Sequence, residues 1–162
     1  MKITHFVENL ERGGLERTVI DLVGAQREAG HECRVVCLFQ RGPLADELSM
    51  RGVAVEVCGK SRALDAKAMW RARALLQQTP DGILHTHNAT AHYHAVLAAY
   101  GLPLQRIVNT RHGMGEVSPG SRGEWLYRRS MGSTDYAVAV CKAARERFAC
   151  SGVRPRIRLL SI

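Results

Sequence analysis

At 162 residues, with 46% hydrophobic and 23% charged positions, the chain has the size and composition of one soluble globular domain. No apolar run approaches the roughly 20 residues of a membrane-spanning helix. Charged residues also come too early in MKITHFVENLERGG for the apolar core of a signal peptide. The net charge of +8, carried mostly by arginine, leaves two readings open: solvated faces in an arginine-rich chain, or a phosphate-bearing or anionic-membrane partner.

KITHFVE (2–8) reads as a first strand, and a GG pair follows at 13–14. Leu15, Val19, Leu22 and Val23 then recur at helical spacing up to a stop at Gly30. ECRVVCLF (32–39) is a second strand, and Pro43 opens a short helix through Met50. VAVEVC (53–58) is a third strand, followed by the helical LDAKAMWRARALLQQ (64–78). GILHTH (82–87), RIVNT (106–110), DYAVAV (135–140) and RIRLLSI (156–162) complete the strands, with helices expected near 91–100, 122–132 and 142–150. Such alternation predicts a Rossmann-like three-layer α/β/α domain with a mainly parallel sheet of about seven strands. Cys33, Cys37, Cys58, Cys141 and Cys150 are odd in number and form no CxxC pair, so a reduced, cytoplasmic protein is expected.

In a sheet of this kind ligands bind beyond the carboxyl ends of the strands. ERGGLERT puts Gly13 and Gly14 between the first strand and the first helix, where free N–H groups suit an anion such as a phosphate; a plain tight turn is the alternative. Glu16 is either part of that site or a favourable first-turn acid. The dinucleotide spacing GxGxxG is absent and no acid closes the second strand, which argues against a nicotinamide domain. CGKS (58–61) lacks the upstream glycine of a phosphate-binding P-loop, since Ala54 stands there.

HTHNATAHYH (85–94) holds four of the seven histidines. Strand periodicity puts Ile83, His85 and His87 on one face and Leu84 and Thr86 on the other, while His92 and His94 diverge on the following helix. All four cannot meet at one ion, and no metal site is expected. His87 and Asn88 are expected to line the crevice, with His85 in the interior and His94 at the surface. In NTRHGMGE (109–116), His112 follows a strand on a glycine-flanked loop beside Arg111, a place from which an imidazole contacts a substrate hydroxyl or developing charge.

These segments, taken in order, resemble the amino-terminal domain of glycosyltransferase family 4. The resemblance rests on MKITHFVENLERGGLERTVIDLVGAQREAGHECRVVCL, DGILHTHN, RIVNTRHGM and DYAVAVCKAARERF, and it spans nearly the whole chain; serine is more usual where Cys141 stands. It implies half of a GT-B architecture, with residues 1–162 as the acceptor-side domain. The carboxyl-terminal nucleotide-sugar domain, with its E-x7-E pattern, has no counterpart here. The implied reaction moves a sugar from a nucleotide diphosphate sugar to the hydroxyl of a sugar or lipid-linked acceptor, with retained configuration and no cofactor or metal, in polysaccharide or glycolipid synthesis. His112 would contact the donor sugar; Gly13, Gly14, Glu16, His87, Asn88 and Arg111 would bind substrate.

Lys60, Arg62, Lys67, Arg71 and Arg73 crowd one segment, opposed only by Asp65. That segment is either a solvated face or a peripheral contact with the anionic inner face of a membrane. Two rival functions stay open: an epimerase-like protein of the same fold acting on a sugar nucleotide, and a basic nucleic-acid-binding domain. At 6% aromatic residues the second lacks a stacking platform, so no nucleic-acid partner is expected.

Overall fold

The computed structural model describes residues 1–112, 121–141, 145–146 and 158–161, the last four as backbone. Apolar alternation builds the sheet: Ile3, Val7, Val35 and Cys37 face one side, while Phe6, Val36, Leu38 and Leu84 face the other. Helices cover each side in turn. The elements run β1 (Lys2–Val7), α1 (Gly14–Glu28), β2 (Glu32–Cys37), α2 (Ala45–Met50), β3 (Ala54–Val57), α3 (Ala66–Gln77), β4 (Ile83–His87), α4 (Ala89–Ala99), β5 (Arg106–Arg111), α5 (Arg122–Met131), β6 (Tyr136–Ala139) and β7 (Arg158–Ser161). All seven strands pair in parallel in the order β3-β2-β1-β4-β5-β6-β7. The three-layer parallel sheet read from the sequence is therefore the observed fold. The helix expected at 142–150 lies largely outside the described residues.

Local chemistry explains where the helices start. Asp65 caps α3 by accepting the Ala68 N–H at 3.0 Å and also takes the Ser61 N–H, contacts that hold its carboxyl below the usual range. Ser121 caps α5 through the Glu124 N–H at 3.1 Å, and Glu124 stands at the third helical position as in a capping box. Gly42 adopts φ +73°, and a side chain there would collide with the backbone of Leu10 and Glu11 leaving β1.

One core layer joins β1, β2 and β4 to α3 and α4 through Phe6, Leu38, Leu76, Leu84 and the alanines 91, 95 and 98. The other packs Val19, Ile20 and Val23 of α1 and Leu48 of α2 on the opposite face. The small alanine side chains let α4 lie close to the sheet, between α3 and α5. That packing corrects one expectation: His94 is 9% exposed and bonds the Thr90 carbonyl within its own helix, so it is interior. Cys33, Cys37 and Cys58 are buried, whereas Cys141 is exposed just beyond β6. Burial pushes the thiol of Cys37 up to about 12 and that of Cys58 up to about 11. No helix among the described residues is long and apolar enough to cross a membrane.

Candidate functional site

Strand order reverses between β1 and β4, so the connections leaving these neighbours run to opposite sides and open a crevice at the carboxyl rim. The chain delivers Glu8 after β1, Gly13 and Glu16 at the start of α1, Asn88 after β4, and Arg111 and His112 at the end of β5.

Asn88 is the hinge of this rim. Its backbone takes φ 62°, ψ 179°, a region that strains any residue with a side chain. Neighbouring groups hold it there. Its N–H donates to the Thr110 carbonyl at 2.9 Å, and its own carbonyl accepts from Asn109 Nδ2 at 3.3 Å. Its side-chain Oδ1 accepts the backbone N–H of His112 at 3.2 Å. Asn109 is itself fixed by the buried Tyr127 hydroxyl, which donates to its Oδ1 at 2.8 Å. Asn88 thus ties the ends of β4 and β5 together and positions His112.

Beneath the rim lies a cluster of imidazoles. His5 on β1 stands in register with His85 on β4, and His87 follows two residues on, so all three share one face. His5 Nε2 lies 2.8 Å from Gln26 Oε1, His5 Nδ1 lies 3.0 Å from His87 Nε2, and His87 Nδ1 lies 2.8 Å from His112 Nε2. His85 Nε2 meets Thr110 Oγ1 at 2.7 Å. Burial drives His5 down to about 4 and holds His85 and His87 well below the ordinary histidine range, with neighbouring imidazoles adding to the effect. His112 is lowered by burial as well. At neutral pH the cluster is uncharged.

Two corrections follow. His87 is 1% exposed and does not line the crevice; it acts from behind His112. His5, absent from the sequence-based site, belongs to the cluster. The signal was there, because the alternation Ile3, His5, Val7 puts an imidazole on a fully apolar strand face. His85 is interior as expected, and His92 is buried on the opposite side of the sheet, bonded to Thr86 at 2.7 Å and Thr134 at 3.0 Å. His5, His85 and His87 each bring one nitrogen within 4.8 Å of the others, a spacing a metal could use. Yet the facing nitrogens of His5 and His87 bond one another, and among the described residues no carboxylate or thiol joins the group.

The glycine loop opens α1 at the carboxyl rim. Gly13 is the extended N-cap of α1, and the Glu16 carboxylate folds back into the space a side chain at Gly13 would fill. Glu8 lies close enough to Glu16 for repulsion to add to burial in raising its carboxyl, with the Thr90 hydroxyl bonding it in partial compensation. Glu16 sits in the first turn of α1, at the positive end of the helix, with the Glu8 carboxyl near it. Glu8 escaped the sequence reading because nothing local distinguishes it from a solvated acid after a strand. Arg111 packs over the Tyr127 ring, 5.5 Å from its centroid, at the α5 side of the rim.

The basic segment leads into and runs along α3. Arg62, Lys67 and Arg71 line a shallow groove before and along α3, and Leu64 and Trp70 beside them are 94% and 72% exposed. Arg73 is spent elsewhere, donating to the carbonyls of Ala98 at 3.0 Å and Tyr100 at 2.7 Å at the end of α4.

The family model for Glycosyltransferase Family 4 matches residues 12–161, almost the whole chain. The chain belongs to that family. Among solved structures, the fold is similar to that of Anabaena HepE, determined in complex with UDP, with TM-score 0.81 and 17% identity over 100% of this chain and 43% of that one. A glycosyltransferase from Rickettsia africae gives TM-score 0.69 and 16% identity over 99% of this chain and 42% of that one. The UDP-GlcNAc 2-epimerase of Methanocaldococcus jannaschii gives TM-score 0.66 and 10% identity over 98% and 45%. At these identities the likeness is one of fold. This family member spans less than half the length of each of these structures. No curated protein matches it in sequence.

Proposed function

We propose that residues 1–162 form the amino-terminal, acceptor-side domain of a retaining GT-B glycosyltransferase, which moves a sugar from a nucleotide diphosphate sugar to an acceptor hydroxyl. The observation that carries this reading is the crevice at the β1/β4 reversal: an uncharged His112, fixed by Asn88 and His87, faces the same rim as the carboxylates of Glu8 and Glu16. Such groups bond hydroxyls, and sugars present hydroxyls on every side. His112 contacts the donor sugar, while Glu16, Glu8 and the backbone at Gly13 and Gly14 bind the acceptor; Arg111 borders the cleft. The nucleotide diphosphate is bound by a second domain opposite, which supplies the charge that stabilises the departing diphosphate. No metal or cofactor is required. The acceptor is a growing polysaccharide or a lipid-linked sugar at the cytoplasmic face of a membrane, met by the basic groove and Trp70 of α3.

The test uses the full-length protein with a panel of nucleotide diphosphate sugars, following nucleotide release with and without sugar and lipid-linked acceptors. Acceptor-dependent release is expected. His112→Ala should reduce kcat by about 100-fold, the range for losing one group poised at a reacting centre, with nucleotide affinity unchanged. An isomerised nucleotide sugar formed without acceptor would establish the epimerase reading instead. Release that is unaffected by His112→Ala would remove that residue from the site.

A further inference from the structure

His112 is the last of four side chains joined end to end, drawn from four separate elements: Gln26 on α1, His5 on β1, His87 on β4 and His112 after β5. The links measure 2.8, 3.0 and 2.8 Å. A neutral imidazole owns one N–H and one lone pair, so each ring that accepts on one side must donate on the other. Burial keeps His5 and His87 neutral at pH 7. The choices along the chain are therefore not independent; whatever stands at its inner end sets them all.

At that end stands an amide oxygen. Gln26 Oε1 accepts from His5 Nε2, and Cys33 Sγ offers its own S–H to the same oxygen at 3.6 Å, a second donor that keeps the oxygen turned inward. His5 Nδ1 is then a lone pair and accepts from His87 Nε2–H. His87 Nδ1 is a lone pair in turn and accepts from His112 Nε2–H. The remaining nitrogen of His112, Nδ1, carries a lone pair.

We infer that Gln26 is a positioning residue for the cleft, fixing through His5 and His87 the tautomer in which His112 meets its ligand as a hydrogen-bond acceptor at Nδ1. The inference rests on the reading of His112 as the group that touches substrate, and it sharpens that reading. An acceptor at Nδ1 selects a ligand hydroxyl and turns away a carbonyl or phosphate oxygen, which has no hydrogen to give. Gln26 does this from the last turn of α1, half-buried between that helix and β1.

The experiment reads tautomers directly, on the full-length protein labelled with 15N at histidine only, by long-range proton–nitrogen correlation at pH 7.5. The His112 signals are assigned by their loss in His112→Gln. The wild type should show His112 protonated at Nε2. Gln26→Leu removes the acceptor and should raise the Nδ1–H form by about five-fold, the bias one hydrogen bond supplies. Gln26→Glu keeps an oxygen that can only accept, so it should retain the wild-type pattern and restore the kcat/KM that Gln26→Leu loses. Should Gln26→Leu fail to fold, His5→Phe cuts the chain one link later and should produce the same mixture. A wild-type His112 protonated at Nδ1, or one indifferent to both Gln26→Leu and His5→Phe, overturns the inference. So do ring signals that shift on adding one equivalent of zinc or a chelator, which would make the His5–His85–His87 cluster a metal site. A tautomer that responds as stated in a protein without glycosyl transfer leaves the inference standing and removes the proposed reaction.

Discussion

Asn88 offers a test in which the sign of an effect is reversed from its usual direction. Glycine in place of alanine normally costs about 0.5–1 kcal/mol through the extra freedom of the unfolded chain. At φ 62°, ψ 179° the folded chain favours glycine, because the side-chain carbon itself is the source of strain worth about 1–3 kcal/mol. Asn88→Ala keeps that strain and loses the bond to the His112 N–H, so it should destabilise the protein by about 1 kcal/mol. Asn88→Gly loses the same bond and about 0.7 kcal/mol of unfolded-state advantage, but recovers about 2 kcal/mol of strain. The glycine variant should therefore be more stable than the alanine variant by about 1 kcal/mol and close to wild type, as read from urea unfolding midpoints. Both variants free His112 and should lose turnover to a similar degree. An alanine variant as stable as the glycine variant, or more so, refutes the strain argument.

Acid should unfold the protein unusually early. His5, His85, His87 and His92 are all held neutral by burial, with His5 lowered to about 4 and His92 to about 3. The unfolded chain takes up protons near pH 6.5, so the stability these residues contribute is complete above that pH. It is lost as pH falls through the window down to their folded values, by up to about 1.4 kcal/mol per pH unit for each residue. A circular-dichroism midpoint between about pH 6 and pH 4 is expected, and one below pH 4 would show that the buried imidazoles accept protons in place. At the α3 groove, binding to liposomes containing anionic lipid should weaken by roughly 100-fold when Arg62, Lys67 and Arg71 are neutralised, at about 1 kcal/mol for each. Unchanged binding would leave the segment a solvated face.

Much of the fold was legible in the sequence because alternation with a period of two is a local property. Ile83, His85 and His87 fell on one side of β4, and Leu84 and Thr86 on the other, as the pattern required. Rim positions such as Asn88 and His112 were legible too, since they directly follow strands. What the pattern could not carry was the partnership between strands distant in sequence. His5 joins the cluster because β1 pairs with β4 across the whole of β2, β3 and their helices, and no short window contains both. His94 was misplaced for a related reason: α4 is covered by the sheet, α3 and α5, so a residue on its apparently outer face is enclosed. The Glu16 carboxylate turned back on Gly13 is a rotamer, and spacing is silent about rotamers.

The cysteines give the molecule a chemical handle. Cys33, Cys37 and Cys58 lie buried with their thiols held protonated, whereas Cys141 is exposed two residues beyond the carboxyl end of β6. Alkylation depends on access and on the thiolate, so a maleimide dye meets one receptive sulfur among the described residues, on the same rim as the crevice. A label placed there, with Cys150 replaced by serine, would report, by its colour or its distance to a second probe, on whatever enters or closes over that edge.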